Sequence, residues 1–474
     1  MSVKEIELPE TLPRWDIPSN WEWVSLSDVG QLITGNTPPT KELDNYGHEI
    51  PFVKPPELID RTIYFAAHGL STKGMKAARV LPEGAVLVSC IGGLGKTGLA
   101  KKTIAFNQQI NAIVFNEGVI PEFGFYYAQT LKPWLYSVSS ATTLPIVNKG
   151  KFQRAPFPLA PLEQQKRIVA EIEKQFSRLD EAVANLRRVK ANLKRYKAAV
   201  LKAAVEGRLV ETEAERARRE GRDYETGAQL LQRIFESRRK QWKGNGKYKE
   251  PVETDTTGLP VLPEGWVWAR LDTIAALKGG ITVDRKRKDS TARLVPYLRV
   301  ANVQRGYLDL TEVKLIDAPA SVIEALLLQL GDILFNEGGD RDKLGRGWVW
   351  ESQLPECIHQ NHVFRGRLFL NDVSPKLLSW WGNSFGKEYF LREGKQTTNL
   401  ASINLTKLSA FPVPLSPNEE QKRIVTEVDR RFSIFREVEA QVDDNLKRAE
   451  RLRQSILSKA FTGQLIEPIA LGEE

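Results

Sequence analysis

The sequence predicts an α+β protein of two globular domains joined by two long antiparallel coiled-coil helices, written as a pseudo-twofold internal repeat. Three observations carry this reading. Residues 156–171, PFPLAPLEQQKRIVAE, align without gaps on residues 412–427, PVPLSPNEEQKRIVTE, with 11 of 16 positions identical. Behind each copy, apolar residues recur every three or four positions for more than four heptads, as in a coiled-coil seam. Ahead of each copy lie short apolar runs broken by Gly and Pro, the pattern of strands and turns.

In chain order, residues 1–160 form the first globular domain and 161–210 a central spacer helix. Residues 211–261 form a helical and basic linker, 262–416 the second globular domain, and 417–474 the distal spacer helix. The fronts of the two domains answer each other: Trp21-Glu22-Trp23-Val24 matches Trp266-Val267-Trp268-Ala269, and Pro51-Phe52-Val53-Lys54 matches Pro296-Tyr297-Leu298-Arg299. The middles agree loosely, with an offset that drifts from 245 to 247 at Gly84 and Gly331, and to 252 around Gln108 and Gln360. The predicted seam of the first helix is Ile168, Ile172, Phe176, Leu179, Leu186 and Leu193. That of the second is Val428, Phe432, Phe435, Val442, Leu452 and Ile456. Pro161 and Pro417 precede the helices, where proline is tolerated, and Gly207 and Gly463 stop them. Two matching seams in one chain have an obvious mate in each other.

Composition narrows the class. The net charge is +9, which favours a polyanionic partner only modestly. Residues 161–250 hold 23 basic and 14 acidic side chains, so the excess lies there rather than in the globular segments. No apolar run is long enough for a membrane span. The opening Met1–Glu7 lacks the basic and apolar parts of a signal peptide. Two distant cysteines, Cys90 and Cys357, offer no disulfide framework, and a cytoplasmic location is expected.

Two variable globular domains alternating with helical segments that begin P-L-x-P-x-E-x-Q-K-R-I-V and close on G-x-L-[VI]-E resemble the specificity subunits of type I restriction–modification enzymes. The resemblance implies two target recognition domains, each reading one half of a bipartite asymmetric site in double-stranded DNA, with the helices setting the gap. It also implies two methyltransferase (M) subunits and two restriction (R) subunits as partners. S-adenosylmethionine would then sit on the M subunits, ATP and Mg on the R subunits, and no cofactor on this chain, which would not be an enzyme. Thirty-three helical residues from Ile168 to Val200 span roughly 50 Å, enough to separate two readers by more than a DNA turn. A helical scaffold or regulatory adaptor that never reads DNA is the alternative from another class.

Rival chemistry is poorly supported. Gly92-Gly93-Leu94-Gly95-Lys96-Thr97 suggests a phosphate loop, but Cys90 stands where the first glycine of that pattern belongs. The pairs Pro38-Pro39 and Pro55-Pro56 lack the acidic or amide residue and the aromatic of an adenine methyltransferase motif. Glu312-Val313-Lys314 and Glu420-Gln421-Lys422 have nuclease-like spacing, but no Pro-Asp dipeptide exists in the chain and the second lies in a predicted spacer helix. His359 and His362 fall on opposite faces of a strand, which argues against a zinc site.

Candidate DNA contacts are polar and basic residues of the loops, because Arg and Lys suit guanine edges and phosphates while Gln and Asn suit adenine. In the first domain these are Lys54, Lys73, Lys96, Thr97, Gln108, Gln109 and Asn111. In the second they are Arg285, Lys286, Arg287, Arg299, Asn302, Arg341, Lys343, Arg346, Gln360, Asn361 and Thr398.

Overall fold

The computed structural model describes residues 16–140, 143–244, 247–282, 290–339, 344–393, 395–396 and 401–467. It divides into two compact units, Met1–Val189 with Gln441–Glu474, and Lys190–Ala440. Each long helix, Leu162–Val205 and Asn418–Phe461, is continuous through the point where the units divide.

The first unit is built on a five-stranded sheet in the order Gly30–Thr34, Ile110–Phe115, Val86–Ser89, Thr97–Ala100, Arg61–Ile63. Its pairs are antiparallel except the last, where Arg61–Ile63 runs parallel to Thr97–Ala100. The central strand is buried at all four positions. Val86 and Val88 enter one core and Leu87 another, as the two-residue alternation of a strand requires when both faces are covered. Glu22–Ser25 pairs with Pro156–Leu159, which brings the two ends of the globular segment together beside the long helix.

The second unit repeats these features in a four-stranded sheet, Ala275–Lys278, Val363–Leu368, Ile333–Asn336, Gly347–Val349. Ile333 and Phe335 face one core and Leu334 another, and Val267–Arg270 pairs with Pro412–Leu415. The parallel pairing of Phe52 with Ala105 recurs as Tyr297 with Ile358. The helix Gly227–Lys240 buries Leu230 and Ile234 in the core of this unit.

Within each unit the two long helices run antiparallel. In the first, Arg453 pairs with Asp180, and Arg167 donates to the Glu467 carbonyl. In the second, Lys197 pairs with Glu439 at 2.6 Å, and Arg423 donates to the Glu211 carbonyl at 3.2 Å. The seam does more than join helices. Ile168, Ile172 and Phe176 share one core with Trp21, Phe123 and Phe157 of the globular part and with Leu457 and Phe461 of the second helix. Ile424 and Val428 do the same with Trp266, Trp381 and Ala204. Leu193, Val442 and Ile456 are buried; Leu179, Leu186, Phe432 and Phe435 are half-buried.

Leu452 departs from the predicted seam and is 49% exposed. From Ala449 the inward step is four residues, to Arg453, whose guanidinium lies 4.0 Å from the Phe176 ring centroid. One residue of helix is about 100° of rotation, so a stripe that takes Arg453 inward turns Leu452 to solvent. A long arginine that covers an aromatic face displaces a leucine that pattern alone would bury.

The repeated motif is a clasp between helix and globular part, made the same way in both units. Trp21 Nε1 donates to Gln164 at 2.6 Å, and Trp266 Nε1 donates to Glu420 at 2.9 Å. Gln165 Nε2 donates to the carbonyls of Gly118 and Ala160 while its Oε1 accepts from Ile120 N. Gln421 likewise donates to Ser416 O and accepts from Ser374 N. Gly207 and Gly463 both adopt left-handed backbone, φ +68 and +71, and a Cβ on either would collide with Pro263 or Pro18 respectively. These contacts account for the Q, the R and the closing G of the repeat.

Candidate nucleic-acid interface

The predicted contact residues fall into three groups. Arg285, Lys286, Arg287, Arg341, Lys343 and Thr398 lie outside the described residues. Thr97, Asn111 and Asn302 are buried, which corrects their assignment to reading loops. Thr97 N and Oγ1 both donate to Asp60 at 2.9 Å. Asn111 accepts from Thr34 and donates to Val147 O, and Asn302 donates to Asp309 O and Glu312 O. Short polar side chains that satisfy buried backbone groups look from sequence like loop polars, yet they hold the loops rather than decorate them.

The rest are at the surface. Lys73 is spent on Glu42 at 3.2 Å. Lys54 lies with its ammonium 5.8 Å from the Phe52 ring centroid, and Arg299 pairs with Glu312 at 3.3 Å. Gln108 is exposed and accepts from Thr37; Gln109 is half-buried and bonded to Asn107. Gln360 and Asn361 are half-buried, their backbone N–H groups bonded to Leu298 and Ile281. The bond Gln360 N to Leu298 O answers Asn107 N to Val53 O, so the copies pair there at an offset of 253, one more than the sequence suggests. His359 is buried with Nδ1 2.6 Å from Val363 O, and burial holds its pKa down near about 4. His362 is exposed and pairs with Glu337.

Lys96 and Arg346 are placed alike. Each follows a left-handed glycine, Gly95 at φ +78 and Gly345 at φ +65. Each precedes the first residue of a strand, Thr97 or Gly347. The hairpins that carry them close on equivalent residues: Ser89 N donates to Lys96 O and Asn336 N to Arg346 O, while Gly95 N returns to Ser89 O and Gly345 N to Asn336 O. Ser89 Oγ adds a clamp, accepting from Lys96 N at 2.9 Å. The glycine-rich run that resembled a phosphate loop is this hairpin connection.

A neighbouring turn, which the sequence did not single out, docks on the same strands. Lys54 N donates to Glu57 at 2.7 Å, and Arg299 N donates to Asn302 at 2.9 Å, so both turns start from the same cap. Further on, a left-handed residue donates its N–H to the first residue of the strand that leaves the hairpin: Asp60 (φ 58) to Thr97 O and Gly306 (φ 85) to Gly347 O. Its flanks are exposed, Ile59 and Arg61 in the first unit and Arg305 and Tyr307 in the second. The sequence missed these residues because the copies share no side chain there; only backbone conformation and one hydrogen bond equate them.

Comparison with known proteins agrees with this duplicated plan. Residues 18–195 match the family described as Type I restriction modification DNA specificity domain. The chain is 24% identical over 469 residues to the Type I restriction enzyme EcoKI specificity subunit of Escherichia coli (strain K12), covering 95% of this chain and 90% of that one. It is equally 24% identical over 470 residues to the Type I restriction enzyme StySPI specificity subunit of Salmonella potsdam, at 95% and 90% coverage. A chain solved in work on complex assembly and conformational transition of the type I R-M system superposes with a TM-score of 0.67 at 19% identity, over 95% of this chain and all of that one. The HsdS subunit from Thermoanaerobacter tengcongensis gives 0.53 at 19% identity, over 95% and 99%. Both share its fold. No helix among the described residues is long and apolar enough to cross a membrane.

Proposed function

The chain belongs to the family of type I restriction–modification specificity subunits, and on that premise we propose that it reads a bipartite, asymmetric site in double-stranded DNA, one half with each unit. It is a non-catalytic subunit. The observation that carries the proposal is the hairpin frame present in both units with unlike side chains on it, exposed Ile59, Arg61 and Lys96 against exposed Arg305 and Tyr307 and half-buried Arg346. Two such frames suit two different half-sites. The two long helices, 44 residues each and about 66 Å long at 1.5 Å per residue, would fix the gap between them. Their near-identical starts would present two equivalent platforms to two methyltransferase subunits, with two restriction subunits recruited through these. S-adenosylmethionine would be bound by the methyltransferase subunits, and ATP and Mg by the restriction subunits.

The test is a ruler experiment. One heptad added to each long helix, near residues 189 and 440, keeps the seam in register and lengthens each helix by roughly 10 Å. With 3.4 Å per base pair, the gap between methylated half-sites should grow by about three base pairs while both half-site sequences persist. An unchanged gap at full activity, or a chain that selects no sequence, would remove the proposal.

A further inference from the structure

We propose that the turn at residues 59–61 of the first unit and its counterpart at 305–307 of the second determine base specificity, with Arg61 and Arg305 as the guanine readers. The inference rests on the DNA-reading function above and deepens it. A protein that reads two different half-sites with two copies of one fold must keep the backbone that approaches DNA constant and vary the side chains it carries. The two units supply that comparison internally.

The constant part is the anchoring. Each turn leaves a cap in which the side chain three residues on accepts from the first residue's N–H, Glu57 for Lys54 and Asn302 for Arg299. Each passes through one left-handed residue whose N–H is tied to the start of the strand that leaves the hairpin, at 2.9 Å in the first unit and 3.3 Å in the second. Side-chain bonds reinforce both: Asp60 accepts from Thr97, and in the second unit one nitrogen of Arg305 donates to the Asn383 carbonyl, whose residue also holds Gly347 N through its Oδ1. A turn held at one end by a side-chain cap and at the other by a backbone bond presents its flanking side chains in fixed directions, which base reading requires.

The variable part is what it presents. Ile59 is 63% exposed with Arg61 beyond Asp60, whereas Arg305 precedes Gly306 and Tyr307 follows it, 57% exposed. The guanidinium therefore stands on opposite sides of the left-handed residue in the two units, with an apolar or an aromatic group as its companion. Arg binds guanine O6 and N7 with two parallel bonds, and apolar groups meet the thymine methyl. Lys96 and Arg346, at the mouth of the adjoining hairpin, are the cations placed to take the neighbouring phosphate. In the second unit Arg346 also donates to Gln304 at 2.9 Å, beside Arg305.

The experiment selects bound duplexes from a random pool with the full-length chain and sequences them. Arg61→Lys and Arg305→Lys keep the charge and remove the planar fork; both residues are exposed, and because Arg305 also donates to the Asn383 carbonyl, the melting curve of each variant is matched to wild type before its half-sites are read. Arg305→Lys should relax one guanine position in one half-site by roughly tenfold or more and leave the other half-site as it was. Arg61→Lys should do the converse. Unchanged half-sites in both variants, or a uniform loss of affinity for all duplexes, would show phosphate contact only and overturn the assignment. If wild type selects a motif and the variants keep it, the turns fail and the recognition function stands. If wild type selects none, both fall.

Discussion

Replacing Gln165 by alanine should uncouple the first globular part from its helix. Gln165 is fully buried, its Nε2 2.8 Å from Ala160 O and 3.0 Å from Gly118 O, its Oε1 2.9 Å from Ile120 N. Gly118 is exposed, so water can replace that bond, but Ala160 is buried and Ile120 half-buried. A buried polar group without a partner costs about 1–3 kcal/mol, so the expected loss is about 2–6 kcal/mol for the two groups left. Gln164→Ala removes only the bond to Trp21 and should cost about 1 kcal/mol. Gln165→Glu is sharper: it keeps the acceptor for Ile120 N but sets a carboxylate against two carbonyl oxygens. It should be worse than alanine near neutral pH and recover as acid protonates it. Because the chain has two units, a single unfolding free energy is not well defined. The measurement is hydrogen exchange, read at the Ile120 amide and along residues 162–176. A Gln165→Ala chain in which the Ile120 amide stays as protected as in wild type would refute the reasoning.

Three further outcomes follow from the same geometry. Glu213 is 2% exposed between Arg222 and Arg423; burial pushes its carboxyl up, but the two arginine bonds outweigh this and hold its pKa below the usual range. Its contribution is therefore present above about pH 4.3, the ordinary glutamate value, and lost as pH falls through the lowered one. Glu213→Gln should weaken the second unit by about 1–3 kcal/mol at pH 7, with the difference from wild type closing below pH ~4 in pH-resolved thermal melts. Gly207→Ala forces a left-handed alanine against Pro263 at 2.6 Å and should cost at least about 1–3 kcal/mol, seen as lowered protection of residues 203–208; equal protection would show that the glycine is replaceable. Ile172→Ala, in the core shared by domain and helices, should cost about 2–5 kcal/mol and expose the first unit to protease, whereas Leu452→Ala should stay within about 0.5 kcal/mol.

The duplication, the two long helices and the strand-rich segments ahead of them could be read from the chain because they are local or periodic. The same holds for the helix starts at Pro161 and Pro417 and the stops at Gly207 and Gly463, where one residue's backbone preference decides. What the motif letters do could not be read that way. Gln165 bonds Gly118 and Ile120, 45 or more residues away, and such partners carry no periodic signal. The seam was legible as apolar, but only packing decided that its ends face the globular cores and that Arg453, not Leu452, covers Phe176. Burial likewise separated Thr97, Asn111 and Asn302, which hold the frame, from Lys96 and Arg346, which stand on it. The reading turns were invisible in sequence for the reason that makes them useful: a hydrogen-bonded backbone fixes their place, and their side chains are free to differ.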